Sequence, residues 1–253
     1  MVDIPFLAVC VGHACTLRCK DCGNFTPFTP NENKIYPMDR IIEDLRIIIK
    51  HGRIKKLHIQ GGEPFLHPNL AEIINFAVSV DNIAIVQIAS NGVGMVKCLT
   101  ALKHPKVQVR ISDYRHAESD FRDIFDKEAV AYKVYEFASK SGMWYDMGSI
   151  NTPREESDEV CTERFNSCPY NKCLTLENSK LGYCSRSIIA EKMQGFTSID
   201  NIGGGGGHDY LRVRDSDDFG QYLENYIKNK RFMEACRYCM GSTGKLIEPA
   251  VQI

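Results

Sequence analysis

Hydrophobic residues recur along the first two thirds of the chain in two alternating periods. The run 4–11 is apolar enough for a buried strand, and 38–50 carries Ile41, Ile42, Leu45, Ile48 and Ile49 at helical spacing. The unit repeats as a strand over 54–60, a helix over 69–80 with Leu70, Ile73, Ile74 and Ala77 on one face, a strand over 83–89 and a helix over 96–102. The same reading predicts a fourth strand over 107–111, a mainly helical stretch with a break over 119–140, and a fifth strand over 143–148. Serial strand-helix units imply parallel strands joined by right-handed crossovers. The expected fold is therefore α/β, a barrel or open parallel sheet with its chemistry at the C-terminal strand ends.

After Gly148 the alternation stops. A polar stretch at 151–157 leads to a hairpin predicted over 173–185, with its turn at Asn178 and Ser179, and then to a helix over 217–229 built on Phe219, Tyr222, Leu223, Tyr226 and Ile227. Five consecutive glycines at 203–207 read as a flexible surface loop, because the Lys-Ser/Thr of a phosphate-binding loop does not follow them. The boundary falls near residue 150, giving one domain over 1–150 and a smaller one over 151–253.

Composition changes this picture in two ways. Of 253 residues, 43% are hydrophobic and 25% charged, and 31 Lys and Arg balance 32 Asp and Glu, which argues against disorder and against an extended nucleic-acid footprint. No apolar run approaches the roughly 20 residues that span a bilayer, and the first residues lack the basic flank and cleavage site of a signal peptide, so a cytoplasmic protein without a membrane partner is expected. Against that background, eleven cysteines stand out. Grouped thiols in a chain of this length read as metal ligands rather than as a disulfide scaffold.

Cys15, Cys19 and Cys22 form C-x3-C-x2-C in the loop after the first strand. Three thiolates leave one iron of a 4Fe-4S cube open, whereas structural zinc demands four ligands, and Cys10, inside a strand, is a poor fourth. Gly61-Gly62-Glu63-Pro64 closes the second strand. The triplet and this tetrapeptide, in this order and each at a strand end, closely resemble the signature of the radical S-adenosylmethionine superfamily. The resemblance implies a partial (βα)6-type TIM barrel and a 4Fe-4S cluster held by Cys15, Cys19 and Cys22. Its open iron would chelate S-adenosylmethionine, which an external one-electron reductant such as flavodoxin or ferredoxin causes to be cleaved to methionine and a 5'-deoxyadenosyl radical. Gly61 and Gly62 would let the backbone approach the methionyl amino group, and Glu63 would accept from it. Pro64 completes the motif, and the strand ends at Asn91 and at Arg110, Ser112 and Asp113 fit the family's ribose and carboxylate contacts. His67 reads as structural, and His13 either borders the pocket or satisfies a loop hydrogen bond.

Cys168, Cys173, Cys184, Cys236 and Cys239 form a second set, similar to the twitch (half-SPASM) extension of some radical enzymes: a cysteine, a hairpin ending in a cysteine, a helix, then C-x2-C. The resemblance favours an auxiliary 4Fe-4S cluster on Cys168, Cys184, Cys236 and Cys239, with Cys173 in reserve and zinc as the alternative metal. Ser179 stands where glycine is usual in such a turn. In architecture the chain resembles dehydrogenases of the 2-deoxy-scyllo-inosamine type. That implies oxidation of a carbohydrate-like small molecule, a sugar or cyclitol alcohol. Trp144 and Asp146, on one face of the predicted fifth strand, and Arg154 in the loop beyond it are the candidate catalytic and substrate residues. An epimerase using a hydrogen-donor cysteine (Cys10, Cys98, Cys161 or Cys173), a peptide-modifying maturase, and a two-cluster electron carrier or zinc protein without catalysis remain as alternatives.

Overall fold

The structure, a computed structural model, describes residues 1–93, 97–114, 121–136, 142–149, 152–188 and 209–253. The glycine run at 203–207, the start of the helix expected over 96–102 and parts of 119–140 lie outside the described residues.

Strands β1 (Val2–Ile4) and β2 (Leu7–Cys10) open the chain, followed by the cysteine loop and helix α1 (Met38–His51). Then come β3 (Gly52–Gln60), α2 (Leu70–Ser79), β4 (Ile83–Ser90), α3 (Leu99–Leu102), β5 (Val107–Asp113), α4 (Phe121–Lys127) and β6 (Tyr132–Glu136). The second part holds β7 (Trp144–Tyr145), α5 (Asp158–Ser167), β8 (Leu174–Glu177), β9 (Lys180–Gly182), β10 (Tyr210–Arg212), α6 (Phe219–Lys228) and β11 (Leu246–Ile247).

The main sheet runs β10-β9-β8-β2-β3-β4-β5-β6, with β1 beside β3. Its six central strands, β8 through β6, are mutually parallel and make the wall of a partial barrel. Alternation along the strands decides which face packs. Leu57, Ile59, Val86, Ile88, Val109 and Ile111 join Ile41, Leu45 and Ile48 of α1 and Ile73 and Ile74 of α2 in one buried core. The opposite face is polar. His58, Gln87 and Gln108 lie side by side in register, His58 Nδ1 3.0 Å from Gln87 Oε1, and Gln87 Nε2 donating to Gln108 Oε1 at 3.1 Å. Burial, with Arg110 nearby, lowers the His58 pKa to about 4, so His58 is neutral and Nδ1 is the donor.

Two expectations are corrected. The fifth barrel strand is not 143–148 but β6, inside the stretch read as helical, paired with β5 from Val109↔Tyr132 to Asp113↔Glu136. Trp144 and Tyr145 instead pair antiparallel with Ile247 and Leu246, in a separate two-stranded sheet. The sixth parallel strand, β8, comes from beyond residue 150 and pairs with β2 from Leu7↔Leu174 to Val9↔Leu176, so one sheet runs through both parts of the chain. No helix among the described residues is long and apolar enough to cross a membrane.

The β8–β9 turn explains how a serine replaces the usual glycine. Asn178 and Ser179 both have positive φ, 46° and 63°, as a tight type I′ hairpin requires. Asp44 of α1 holds Ser179 there, accepting from its amide at 2.8 Å and from its hydroxyl at 2.9 Å. The hairpin is thereby fastened to the first barrel helix.

Candidate metal and cofactor site

The three cysteines of the first loop gather with Leu17, Val93, Tyr114, Trp144 and Ala250 in a small cluster apart from the main core. Nitrogen donors reach the sulfurs of Cys15 and Cys19. The Leu17 amide donates to Cys15 Sγ at 3.4 Å, Asn91 Nδ2 to the same sulfur at 3.5 Å, and Gln252 Nε2 to Cys19 Sγ at 3.4 Å. Burial pushes the Cys15 thiol up to about 11 and raises that of Cys19 as well. Such thiols ionise when metal replaces the proton, and N–H···S bonds then share the charge. The donor set fits a three-thiolate iron-sulfur cluster.

The tetrapeptide at the end of β3 serves this loop directly. The Gly62 amide donates to the Gly12 carbonyl at 2.9 Å and the Glu63 amide to the Ala14 carbonyl at 2.7 Å. A Cβ on Gly61 would stand 2.1 Å from Gly12 O, and one on Gly62 would stand 2.2 Å from Ala14 O. Both glycines are therefore required by the contact between strand end and cysteine loop, a closer neighbour than the ligand the sequence suggested. Gly61 has φ 149°, a conformation that L side chains rarely adopt.

Glu63 is buried and joins two strand ends. Oε1 accepts from the Phe65 amide at 3.1 Å, while Oε2 accepts from Ser90 Oγ at 3.1 Å and the Asn91 amide at 2.8 Å. Burial raises its pKa to about 7 against these lowering hydrogen bonds. Pro64 starts the short turn Pro64–Leu66 behind it. His67 is structural, its Nε2 lying 2.9 Å from Tyr36 O while its Nδ1 accepts from the Asn69 amide.

Farther round the barrel mouth, Arg110 stacks 4.4 Å from the Tyr135 ring centroid, and its Nε is buried with no hydrogen-bond partner. A guanidinium with an orphaned donor fits the carboxylate of a bound ligand such as S-adenosylmethionine. Ser112 hydrogen-bonds with Tyr114, and Asp113 pairs with Arg122 at 2.8 Å. Trp144 packs edge-on to Tyr114, ring centroids 5.5 Å apart, beside the first thiol set. Asp146 is exposed and accepts from the Gly148 amide at 2.9 Å. Arg154 is committed to Glu156, with Nη2 at 2.8 Å, and also contacts the Met240 sulfur; its electrostatic neighbours include Cys239. Trp144 and Arg154 thus attend different thiol sets.

The second set converges from three separate segments. The thiols of Cys168, Cys184, Cys236 and Cys239 influence one another electrostatically, and burial pushes those of Cys168, Cys184 and Cys236 up, Cys184 to about 12. The Met233 amide donates to Cys236 Sγ at 3.4 Å and the Gly241 amide to Cys239 Sγ at 3.2 Å, while nearby backbone amides, Tyr170 and Asn171 at Cys168 and Ser187 at Cys184, favour the other two thiolates. Cys173 is raised by burial and by Cys168, with Lys230 lowering it. Arg164 donates to the Cys236 carbonyl at 3.1 Å and pairs with Glu156, whose pKa the two arginines Arg154 and Arg164 hold at about 2. This ionic net braces the C-x2-C turn.

Sequence reasoning missed several contributors. His58, Gln87 and Gln108 were legible as polar residues at alternate positions of apolar strands. Gln252 carried no signal, yet residues 250–253 lie across the cysteine loop. The Lys20 amide donates to Val251 O at 2.7 Å, the Arg18 amide to Gln252 Oε1 at 2.7 Å, and the Ile253 amide to Arg18 O at 3.0 Å. His13 is fully buried, Nε2 3.0 Å from Glu177 Oε1 and 3.7 Å from Cys10 Sγ, so it anchors β2 to β8 beneath the loop.

The cysteine triplet in the first loop of the parallel-stranded barrel and the glycine-rich brace at the next strand end both lie within residues 9–112, the span that matches the Radical SAM superfamily profile. Curated relatives are GTP 3',8-cyclases, among them those of Aquifex aeolicus (34% identical over 103 residues, 40% of this chain and 32% of the relative) and Helicobacter pylori strain J99 (32% over 101 residues, 40% and 31%). The chain spans about a third of the length of these relatives. In fold it is similar to BtrN, crystallised in complex with AdoMet and 2-DOIA, at TM-score 0.61 and 14% identity over 100% of both chains.

Proposed function

We propose that the protein couples its radical domain to a second iron-sulfur cluster in order to oxidise an alcohol on a small carbohydrate-like molecule, a sugar or cyclitol. The observation that carries this reading is the convergence of Cys168, Cys184, Cys236 and Cys239, with backbone amides donating to the sulfurs of Cys236 and Cys239. Four thiolates close a 4Fe-4S cluster and leave no open iron, which suits electron transfer rather than substrate chelation.

Cys15, Cys19 and Cys22 hold the first cluster, and Gly61, Gly62 and Glu63 fix the loop that carries them. Arg110 anchors the carboxylate of S-adenosylmethionine, with Asn91, Ser112 and Asp113 bordering the same mouth. When loaded, that site supplies a 5'-deoxyadenosyl radical. With both groups bound, the substrate carbon would give up a hydrogen atom and its hydroxyl a proton, and the cluster held by Cys168, Cys184, Cys236 and Cys239 would take the remaining electron, so that the alcohol becomes a ketone or aldehyde. Trp144, beside the first thiols, offers an aromatic face to the substrate, with Asp146 and Arg154 as further polar candidates. The whole-chain similarity to BtrN supports a cyclitol-sized substrate. The GTP 3',8-cyclases match 40–45% of the chain, yet they make GTP a necessary member of any substrate panel.

The test is anaerobic reconstitution, reduction in the presence of S-adenosylmethionine, and turnover of cyclitols, nucleotide sugars and GTP in deuterated water. The expected product is a carbonyl compound without new carbon-bound deuterium, accompanied by 5'-deoxyadenosine. Deuterium at carbon identifies an epimerase, cyclised GTP a cyclase, and absence of 5'-deoxyadenosine a protein without radical chemistry.

A further inference from the structure

Arg186 lies two residues beyond Cys184, 6% exposed. Its Nη2 donates to the Gly148 carbonyl at 2.9 Å, its guanidinium carbon stands 4.9 Å from the Phe25 ring centroid, and its Nε is buried without a hydrogen-bond partner. Phe25 belongs to the first cysteine loop, its amide donating to Cys22 O at 2.9 Å. Arg186 therefore bridges the two thiol sets.

Arginine cannot shed its proton in a protein, and a buried charge without a counter-charge is strongly destabilising. Among the described residues the ion-paired arginines include Arg122, Arg154, Arg164 and Arg237, and no described pair includes Arg186. Cys184, two residues back along the chain, has Arg186 among its electrostatic neighbours. It is too deeply enclosed to be a first contact for substrate.

We propose that Arg186 is the counter-ion of the second cluster, a positioning residue that favours the reduced state. This rests on the second thiol set holding iron and sulfide. Four thiolates around a 4Fe-4S core carry net negative charge that grows by one on reduction, so a fixed cation beside Cys184 stabilises the reduced form more than the oxidised form. A cluster that must accept an electron from a substrate radical gains from this bias.

The experiment compares the unaltered protein with Arg186→Gln and Arg186→Lys, each reconstituted with iron and sulfide. Metal content is measured first, then dithionite titration followed by electron paramagnetic resonance without S-adenosylmethionine. Reduction of the second cluster in Arg186→Gln should become at least tenfold less favourable, a shift of about 59 mV for one electron. Arg186→Lys should lie close to the unaltered protein, and the first cluster should move less. Loss of the second cluster in Arg186→Gln alone also supports the counter-ion role, since only charge separates the variants in that respect. An unchanged potential in an Arg186→Gln protein with both clusters intact, or equal loss of the cluster in both variants, overturns it while leaving the functional reading standing. Zinc at the second set of the unaltered protein overturns the cluster reading itself, and this inference with it.

Discussion

Replacing Gly62 by alanine separates two roles for the glycine pair, because a methyl group there meets the cysteine loop before it meets any ligand. The added Cβ would stand 2.2 Å from Ala14 O, 2.7 Å from Ala14 C and 3.0 Å from the Cys15 Cβ. Real Cβ atoms do not approach within 3.0 Å, so strand end and loop must part by most of an ångström. That separation breaks the Gly62–Gly12 and Glu63–Ala14 hydrogen bonds. Two such bonds contribute about 1 kcal/mol each, and overpacking at a tight site costs about 1–3 kcal/mol. The sum, about 3–5 kcal/mol, corresponds to a fall in Tm of roughly 10 °C for a chain of this size. If the strain is relieved locally, it favours the open loop by a factor of about 100 or more. The assay is iron and sulfide content after reconstitution, alongside thermal unfolding. Gly23→Ala serves as the control, since a Cβ there meets nothing within 4 Å. The variant should lose the first cluster and keep the second, and Gly23→Ala should lose neither. A Gly62→Ala protein with full iron, unchanged Tm and weakened S-adenosylmethionine binding would refute this reasoning and return the glycine to the ligand.

Cys168→Ala should halve the iron bound per chain, whereas Cys173→Ala should leave it unchanged; the reverse result exchanges the two ligands. Burial raises Asp44 to about 6 and Asp209 to about 7, and Asp209 accepts from the Ala235 amide at 2.9 Å in front of Cys236. The folded protein therefore holds protons that the unfolded chain releases near pH 4, so stability is greatest below that pH for these groups and falls as pH rises toward 7. Metal-free protein should lose Tm across this window. Asp209→Asn should flatten the upper part, by at most about 4 kcal/mol, and an equal slope in the variant removes Asp209 as its source.

Much of the site was legible because its chemistry is local in sequence. Cys15, Cys19 and Cys22 lie within one loop, and Gly61 to Pro64 within one strand end. The strand β6 was hidden because its alternation is short: Tyr132 and Val134 pack against the core, while the other face carries Tyr135, whose ring meets the cations of Arg110 and Lys133. Trp144 looked like a barrel strand because a two-residue antiparallel pair has the same local pattern; its partner, Ile247, is distant in sequence. Ser179 could not be understood from the turn alone, since the side chain that holds it at positive φ belongs to α1. The pairing of β8 with β2 is likewise a long-range choice that no local period announces.

The lacing of residues 250–253 across the cysteine loop has a consequence for biosynthesis. The loop's ligands leave the ribosome well before the backbone partners of Arg18 and Lys20 and before the Gln252 amide that donates to Cys19 and lies 233 residues farther along the chain. At about 5–20 residues per second, the delay is on the order of tens of seconds. Through that interval a nascent chain carries three thiols in a loop whose final shape has not been set, and the second set is still without Cys236 and Cys239. Iron delivered during translation would meet incomplete ligand sets at both places. The expected outcome is that a pulse of labelled iron enters chains extended past Gln252 but not ribosome-bound fragments that end before Cys236; equal labelling of both would refute this.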